Sequence, residues 1–209
     1  NIHCGMGGVT GAIDKVRLER NHDGTAVLWT AIGQDRPRGL CGSGIVDTMA
    51  MLLEAGVVDD TGAFADDPSA LPPELAARVV EYERWKAFVL VPADEAAHRS
   101  PVLFTEKDVR EIQNAKAAVR GGIERLMQKA GLRPDQVSEL LIAGGFGSFL
   151  NIDSAFRIGL LPEALRGRTR PVGNTAGAGA MMALLDARLP VEALRWMDRV
   201  EYVELSADP

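Results

Sequence analysis

The sequence lacks most of the signatures that assign a function quickly. It has only two cysteines, Cys4 and Cys41, with no ligand-type spacing. Two thiols cannot by themselves hold an iron–sulfur cluster or a structural zinc, so no metal site is expected and free thiols in a reducing, cytoplasmic compartment are. No apolar run approaches the ~20 residues of a membrane span, and there is no signal-peptide pattern, so no membrane partner is expected. Basic residues are not in excess: 23 Lys and Arg face 29 Asp and Glu, for a net charge of −6. That balance argues against nucleic acid, whose binders present a basic face. A Walker A sequence is missing, and the glycine runs do not fit the dinucleotide fingerprint. His3, His22 and His98 lie apart, and Asp14, Asp47, Asp153 and Asp186 form no clear carboxylate pair. No triad assembles, and no catalytic residue is assigned. Internal repeats and low-complexity tracts are also absent.

What remains is ordinary globular material, 209 residues with 46% hydrophobic and 25% charged side chains. That length buries a full core, as one large domain or two small ones. The chain opens at Asn1 without an initiator Met, so a piece of a longer protein is expected, with residues that complete its site upstream.

The most informative segment is Leu140-Leu-Ile-Ala-Gly-Gly-Phe-Gly147, an apolar run ending in glycines. A continuous apolar run reads as a buried parallel strand, here expected at the centre of its sheet with helices on both faces. Glycines at its end let backbone approach a ligand. A second turn, Gly173-Asn-Thr-Ala-Gly-Ala-Gly-Ala180, follows a short strand at 170–172 and opens a helix over 176–188. Residues 12–19 and 25–32 read as antiparallel strands joined by a turn at 21–24. Gly42-Ser-Gly44 opens a helix that reaches Ala55 and stops at Gly56, with Ser43 able to cap it. Residues 59–73 read as loop, 74–85 as a helix and 87–91 as a strand. The clearest helix starts at Thr105 with Asp108 in a capping-box variant and ends at Gly131. Further helices are expected at 153–160 and 191–197, and a strand at 200–205. Strands alternating with helices make this α/β.

Gln113, Lys116 and Arg120 share one polar stripe of the long helix, able to meet a ribose or a phosphate edge, or simply solvent. Gly144, Gly145, Phe146 and Gly147 could face the same ligand, or form a tight corner without one. Gly42 and Gly44 at a helix start favour an anion, or mark a close turn.

Gln113-Asn-Ala-Lys116, Gly144-Gly145 and Asn174 before Ala176-Gly-Ala-Gly-Ala180 resemble the second lobe of the actin, sugar-kinase and heat-shock-chaperone ATPases. Gly39-Leu-Cys-Gly-Ser-Gly-Ile-Val-Asp47, Asp108-Val-Arg-Glu-Ile-Gln-Asn-Ala-Lys-Ala118, Ala143-Gly-Gly-Phe-Gly-Ser148, Arg157-Ile-Gly-Leu-Leu-Pro162 and Pro171-Val-Gly-Asn-Thr-Ala-Gly-Ala-Gly179 resemble, in order, the C-terminal part of the reductive activators of corrinoid proteins. The resemblance implies a ribonuclease-H-like ATPase lobe, a mixed sheet with helices on both faces, plus an inserted α/β subdomain. The core would comprise 1–56 and 140–209, and the insertion 57–139. It implies ATP with Mg²⁺, a [2Fe–2S] cluster in an N-terminal domain absent from this chain, and a corrinoid (cobalamin-binding) protein as partner. Gln113, Lys116, Gly144 and Gly145 would hold adenosine, Asn174 would close the site, and Gly42 and Gly44 would bound the crevice. Two rival readings stay open: a small-molecule kinase lobe of the same superfamily, and a non-catalytic lobe for homodimerisation or docking.

Overall fold

The computed structural model describes residues 1–22 and 24–205, so Asp23 in the expected turn at 21–24 lies outside the described residues. The described residues form two compact units. The first comprises Asn1–Ala118 with Leu150–Leu161, and the second Val119–Phe149 with the described residues from Pro162. These limits do not coincide with the ends of 57–139.

In the first unit, β1 (Ala12–Asn21) and β2 (Gly24–Ala31) pair antiparallel from Ile13↔Ala31 to Asn21↔Gly24. The short strand β3 (Gly39–Leu40) adds to β1 in parallel, giving a mixed sheet of order β2-β1-β3. Helix α1 (Gly42–Glu54) packs on β1 and buries Val46, Met49, Ala50, Met51 and Leu52. It ends as its sequence demands. Gly56 takes φ 70°, its N–H donates to Leu53 O at 3.2 Å, and Val57 N donates to Leu52 O at 3.0 Å. A left-handed glycine after the last turn satisfies carbonyls that would otherwise be orphaned.

Residues 74–85 are not a helix. Only α2 (Pro73–Ala76) is helical; β4 (Val79–Tyr82) then pairs with β5 (Trp85–Val91), which pairs with β6 (Val102–Thr105). The β-branched Val79 and Val80 and the partner strand outweigh the helix-forming Glu81 and Glu83. Phe88, Leu90, Val91, Val102 and Phe104 make this sheet's buried face. From β6 the chain enters α3 (Glu106–Lys129) directly. Helix α4 (Ile152–Arg157) is capped by Asn151, whose Oδ1 accepts from Asp153 N at 3.0 Å and Ser154 N at 3.3 Å. It packs on α1.

In the second unit, β7 (Leu140–Ala143) and β8 (Thr169–Gly173) form a two-stranded parallel sheet. This corrects the expectation of a centrally buried strand. Among the described residues β7 has one partner, and Leu141 is 47% exposed. An apolar run reports that a segment is suited to burial, not which segments cover it. Two ties hold the pair's surroundings. Arg168 donates through one guanidinium nitrogen to the carbonyls of Pro134, Asp135 and Val137, and Arg170 meets Glu139 through two hydrogen bonds. Helices α5 (Thr175–Leu185) and α6 (Leu189–Met197) follow. Residues 200–205 form no strand, a second correction; a strand needs a hydrogen-bonding partner, and none pairs there among the described residues.

Candidate functional site

The polar stripe of α3 is only partly free. Gln113 donates from Nε2 to the carbonyl of Thr61 at 2.8 Å. Thr61 sits in a turn organised by Asp59, whose Oδ1 accepts from Thr61 N at 2.8 Å, Thr61 Oγ1 at 2.7 Å and Ala63 N at 3.0 Å. Those bonds, the Thr61 hydroxyl foremost, hold the Asp59 carboxyl below the usual aspartate range. One turn along, Lys116 lines a small cavity of about 30 Å³ with Met49, Leu53, Asp60 and Gln113. Among the described residues its ammonium has no hydrogen bond and no ion pair. Arg120, in the second unit, is engaged by Glu124 four residues on.

The glycine turn after β7 divides into different tasks. Gly144 carries the unusual backbone, φ 100°, and its N–H donates to Gly173 O at 2.9 Å. Its own carbonyl accepts from Ser148 N at 3.3 Å and from Ser148 Oγ at 3.2 Å. Gly145 has no positive φ; the conformational demand falls on Gly144. A Cβ at Gly144 or Gly145 would meet nothing within 4 Å, so both present bare backbone to open space. Gly147 is different: it is buried, and a Cβ there would lie 2.7 Å from Ile142 Cγ2. Phe146 is 52% exposed.

Asn174 is the N-cap of α5. Its Oδ1 accepts from Gly177 N at 3.1 Å, and Gly177 lacks the Cβ that would meet the Asn174 amide at 2.7 Å. The cap supplies one of the helix's orphaned N–H groups with an acceptor.

At the start of α1 the expectation that Ser43 caps the helix is corrected. Cys41 occupies the cap position without a side-chain cap bond. The Ser43 hydroxyl lies 3.3 Å from Cys41 Sγ, which itself donates to Ile13 O at 3.3 Å. Gly44 is buried, and a Cβ there would collide with the Ile13 carbonyl. Close approach of α1 to β1 therefore accounts for this glycine, and Gly42 is half-buried beside it.

Asp47, read in the sequence as one of several scattered acids, is a buried carboxylate. Its Oδ2 accepts from Val16 N at 3.3 Å, while Oδ1 has no hydrogen-bond partner. Burial pushes this carboxyl up, against the lowering influence of Ser154, Val16, Asn151 and Lys15. No local pattern could have joined Asp47 to residues 151 and 154. Burial likewise pushes the Cys4 thiol up, so it is not an activated thiolate. Both cysteines are free, and no group of three His, Cys, Asp or Glu among the described residues is placed to hold a metal ion.

The family described as the C-terminal domain of RACo, the ASKHA domain, matches residues 1–209. A curated relative, the corrinoid activation enzyme RamQ of Eubacterium limosum, is 35% identical over 210 residues, covering 100% of this chain and 35% of its own length. A solved reductive activator for corrinoid, iron–sulfur protein superposes with a TM-score of 0.86 at 33% identity, covering 100% of this chain and 32% of that one. The chain thus spans about a third of the length of these relatives and has the mixed α/β ASKHA fold of the activator.

Proposed function

Because the chain belongs to the family of C-terminal ASKHA domains of RACo, we propose that it supplies one side of the nucleotide site in an ATP-dependent reductive activator. In this reading the whole protein returns a corrinoid protein from inactive Co(II) to Co(I). The electron comes from a reduced [2Fe–2S] cluster in an N-terminal domain, and the cobalt is substrate. The family match over the full 209 residues carries the proposal. The names of the two relatives support the choice of partner.

The side chains fit a nucleotide on chemical grounds. In the first unit Lys116 has an ammonium with no partner among the described residues, suited to a ribose or phosphate oxygen. The Gln113 amide is anchored through Nε2, which leaves its carbonyl oxygen to accept from the ligand. In the second unit Gly144 and Gly145 offer uncovered backbone. The proposal gives each of these groups a role toward adenosine, as the resemblance of their motifs implies. Arg120, Phe146, Gly147, Asn174, Gly42 and Gly44 are kept as surroundings, since most have intramolecular tasks. Mg²⁺ would arrive with the phosphates, and no side chain of this chain is assigned to it. Nucleotide binding can drive the electron step only through different affinities for two arrangements of the protein. Insertion of 57–139 into a core of 1–56 and 140–209 belongs to the same proposal, as does a cytoplasmic setting, which the two free thiols support. No helix among the described residues is long and apolar enough to cross a membrane.

A second reading, a lobe used for docking or homodimerisation, is favoured by one observation. Helix α5 has no buried residue, and Leu184 and Leu185 are 88% and 87% exposed. The two readings separate experimentally. Full-length protein is mixed with ATP, a reductant and a corrinoid protein, and both hydrolysis and the Co(I) absorption are followed. The activator reading expects corrinoid-stimulated hydrolysis and Co(I) that depends on ATP. Co(I) formation that ignores ATP would reject it, and a dimer without nucleotide binding would favour the second reading.

A further inference from the structure

Among the glycines of the first unit with a left-handed backbone are Gly56, Gly62 and Gly159, and the last two face the polar side chains of α3. Gly56, Gly62 and Gly159 have φ 70°, 85° and 73°. Gly62 lies in the Asp59 turn, where Gly62 N donates to Asp59 O at 2.9 Å and Asp59 N to Ala63 O at 2.9 Å. Gly159 ends α4, with Gly159 N donating to Phe156 O at 2.8 Å and Leu160 N to Ala155 O at 2.9 Å. The turns themselves explain the backbone conformation in each case. They do not explain what each missing side chain leaves room for.

A Cβ at Gly62 would run into the Gln113 amide, with Val109 Cγ1 at 3.1 Å. A Cβ at Gly159 would lie 3.1 Å from both Cε and Nζ of Lys116. At Gly56 the nearest atom to such a Cβ is Leu71 Cδ2, at 4.0 Å. Gly56 therefore shares the backbone demand and has no polar neighbour. We infer that Gly62 and Gly159 are positioning residues that set where the Gln113 amide and the Lys116 ammonium end. A lysine side chain is long and loses considerable rotamer freedom when fixed. A flat backbone wall beside its last carbon leaves the ammonium a defined place with its donors uncommitted. An added methyl at 159 would be accommodated most easily by the flexible Lys116 end swinging away. The fold would then feel only the left-handed strain, while the ammonium would be displaced. At 62, the same logic costs the bond from Gln113 to Thr61.

This inference rests on the nucleotide reading of Lys116, and its test separates the two. In the full-length protein, Gly159→Ala and Gly56→Ala should lower the melting temperature by similar amounts, since both place alanine at positive φ. Only Gly159→Ala should weaken ATP binding, by about tenfold, as expected for a misplaced charge-assisted hydrogen bond. The double variant Lys116→Ala with Gly159→Ala should bind ATP no more weakly than Lys116→Ala alone, because Gly159 acts through Lys116. If Gly159→Ala proves unstable, Gly62→Ala with Gln113→Ala provides the same cycle. ATP affinity unchanged in folded Gly159→Ala, or losses that multiply in the double variant, would overturn the positioning role. An unchanged affinity in Lys116→Ala would remove the nucleotide role of Lys116 and the inference together.

Discussion

Thr105 and Asp108 cap α3 reciprocally. Asp108 Oδ2 accepts from Thr105 N at 2.8 Å and Thr105 Oγ1 at 2.9 Å, while Thr105 Oγ1 accepts from Asp108 N at 3.2 Å. The other carboxylate oxygen accepts from His3 N at 2.6 Å. Both residues are buried, so the carboxylate ties the first turn of the helix to the N-terminal segment in a place that water does not reach.

Asp108→Ala strips the acceptor from Thr105 N and His3 N at once. The expected loss is about 1–3 kcal/mol of stability, the cost of leaving the buried Thr105 N–H without its acceptor. Urea unfolding measures it. A midpoint equal to the wild type's would mean that the cap contributes nothing.

Gly145→Ala should separate binding from folding. The position is exposed, has no positive φ, and a Cβ meets nothing within 4 Å, so stability should change by less than about 0.5 kcal/mol. Gly144→Ala, at φ 100°, should instead lose on the order of 1–2 kcal/mol. If nucleotide meets this backbone, Gly145→Ala also weakens ATP binding to the full-length protein. Unchanged binding would leave the turn as a structural corner only.

Lys116→Ala should leave stability nearly untouched, since the ammonium has no protein partner among the described residues. ATP affinity should fall by roughly 1.5–3 kcal/mol, about ten- to a hundred-fold, if a charge-assisted bond to the ligand is lost. Calorimetry on the full-length wild type and variant reads both the affinity and its absence of change.

Asp47→Asn tests the buried carboxyl. Burial raises its folded-state pKa above the unfolded value, so the folded chain holds this proton to higher pH. The contribution to stability is complete below the unfolded aspartate value and is lost as pH rises through the folded one. Asparagine can still accept from Val16 N and carries no charge to desolvate. Relative to the wild type, the variant should therefore gain melting temperature between acid pH and pH 7. Parallel pH profiles for the two proteins would show that Asp47 does not titrate with folding.

The local punctuation of the chain is written in its residues. The Thr105–Asp108 cap, the stop of α1 at Gly56, the pairing of β1 with β2 and the glycine turns after β7 and β8 are each written within a few residues. Caps and turns are satisfied by near neighbours, so they are legible without the rest of the fold. The family was legible too, because its motifs recur in order along the chain. What those residues face depends on segments far away in the chain. Strand β4 replaced an expected helix because its partner, β5, determines it, and 200–205 has no strand partner among the described residues. Gly44 answers to the Ile13 carbonyl, and the Gln113 amide to Thr61, 52 residues away. Asp47 gained its raised pKa from burial, with Val16, Asn151 and Ser154 as neighbours from distant parts of the chain. Burial, strand pairing and close backbone approach are relations between segments distant in sequence, and no single segment contains the information that sets them.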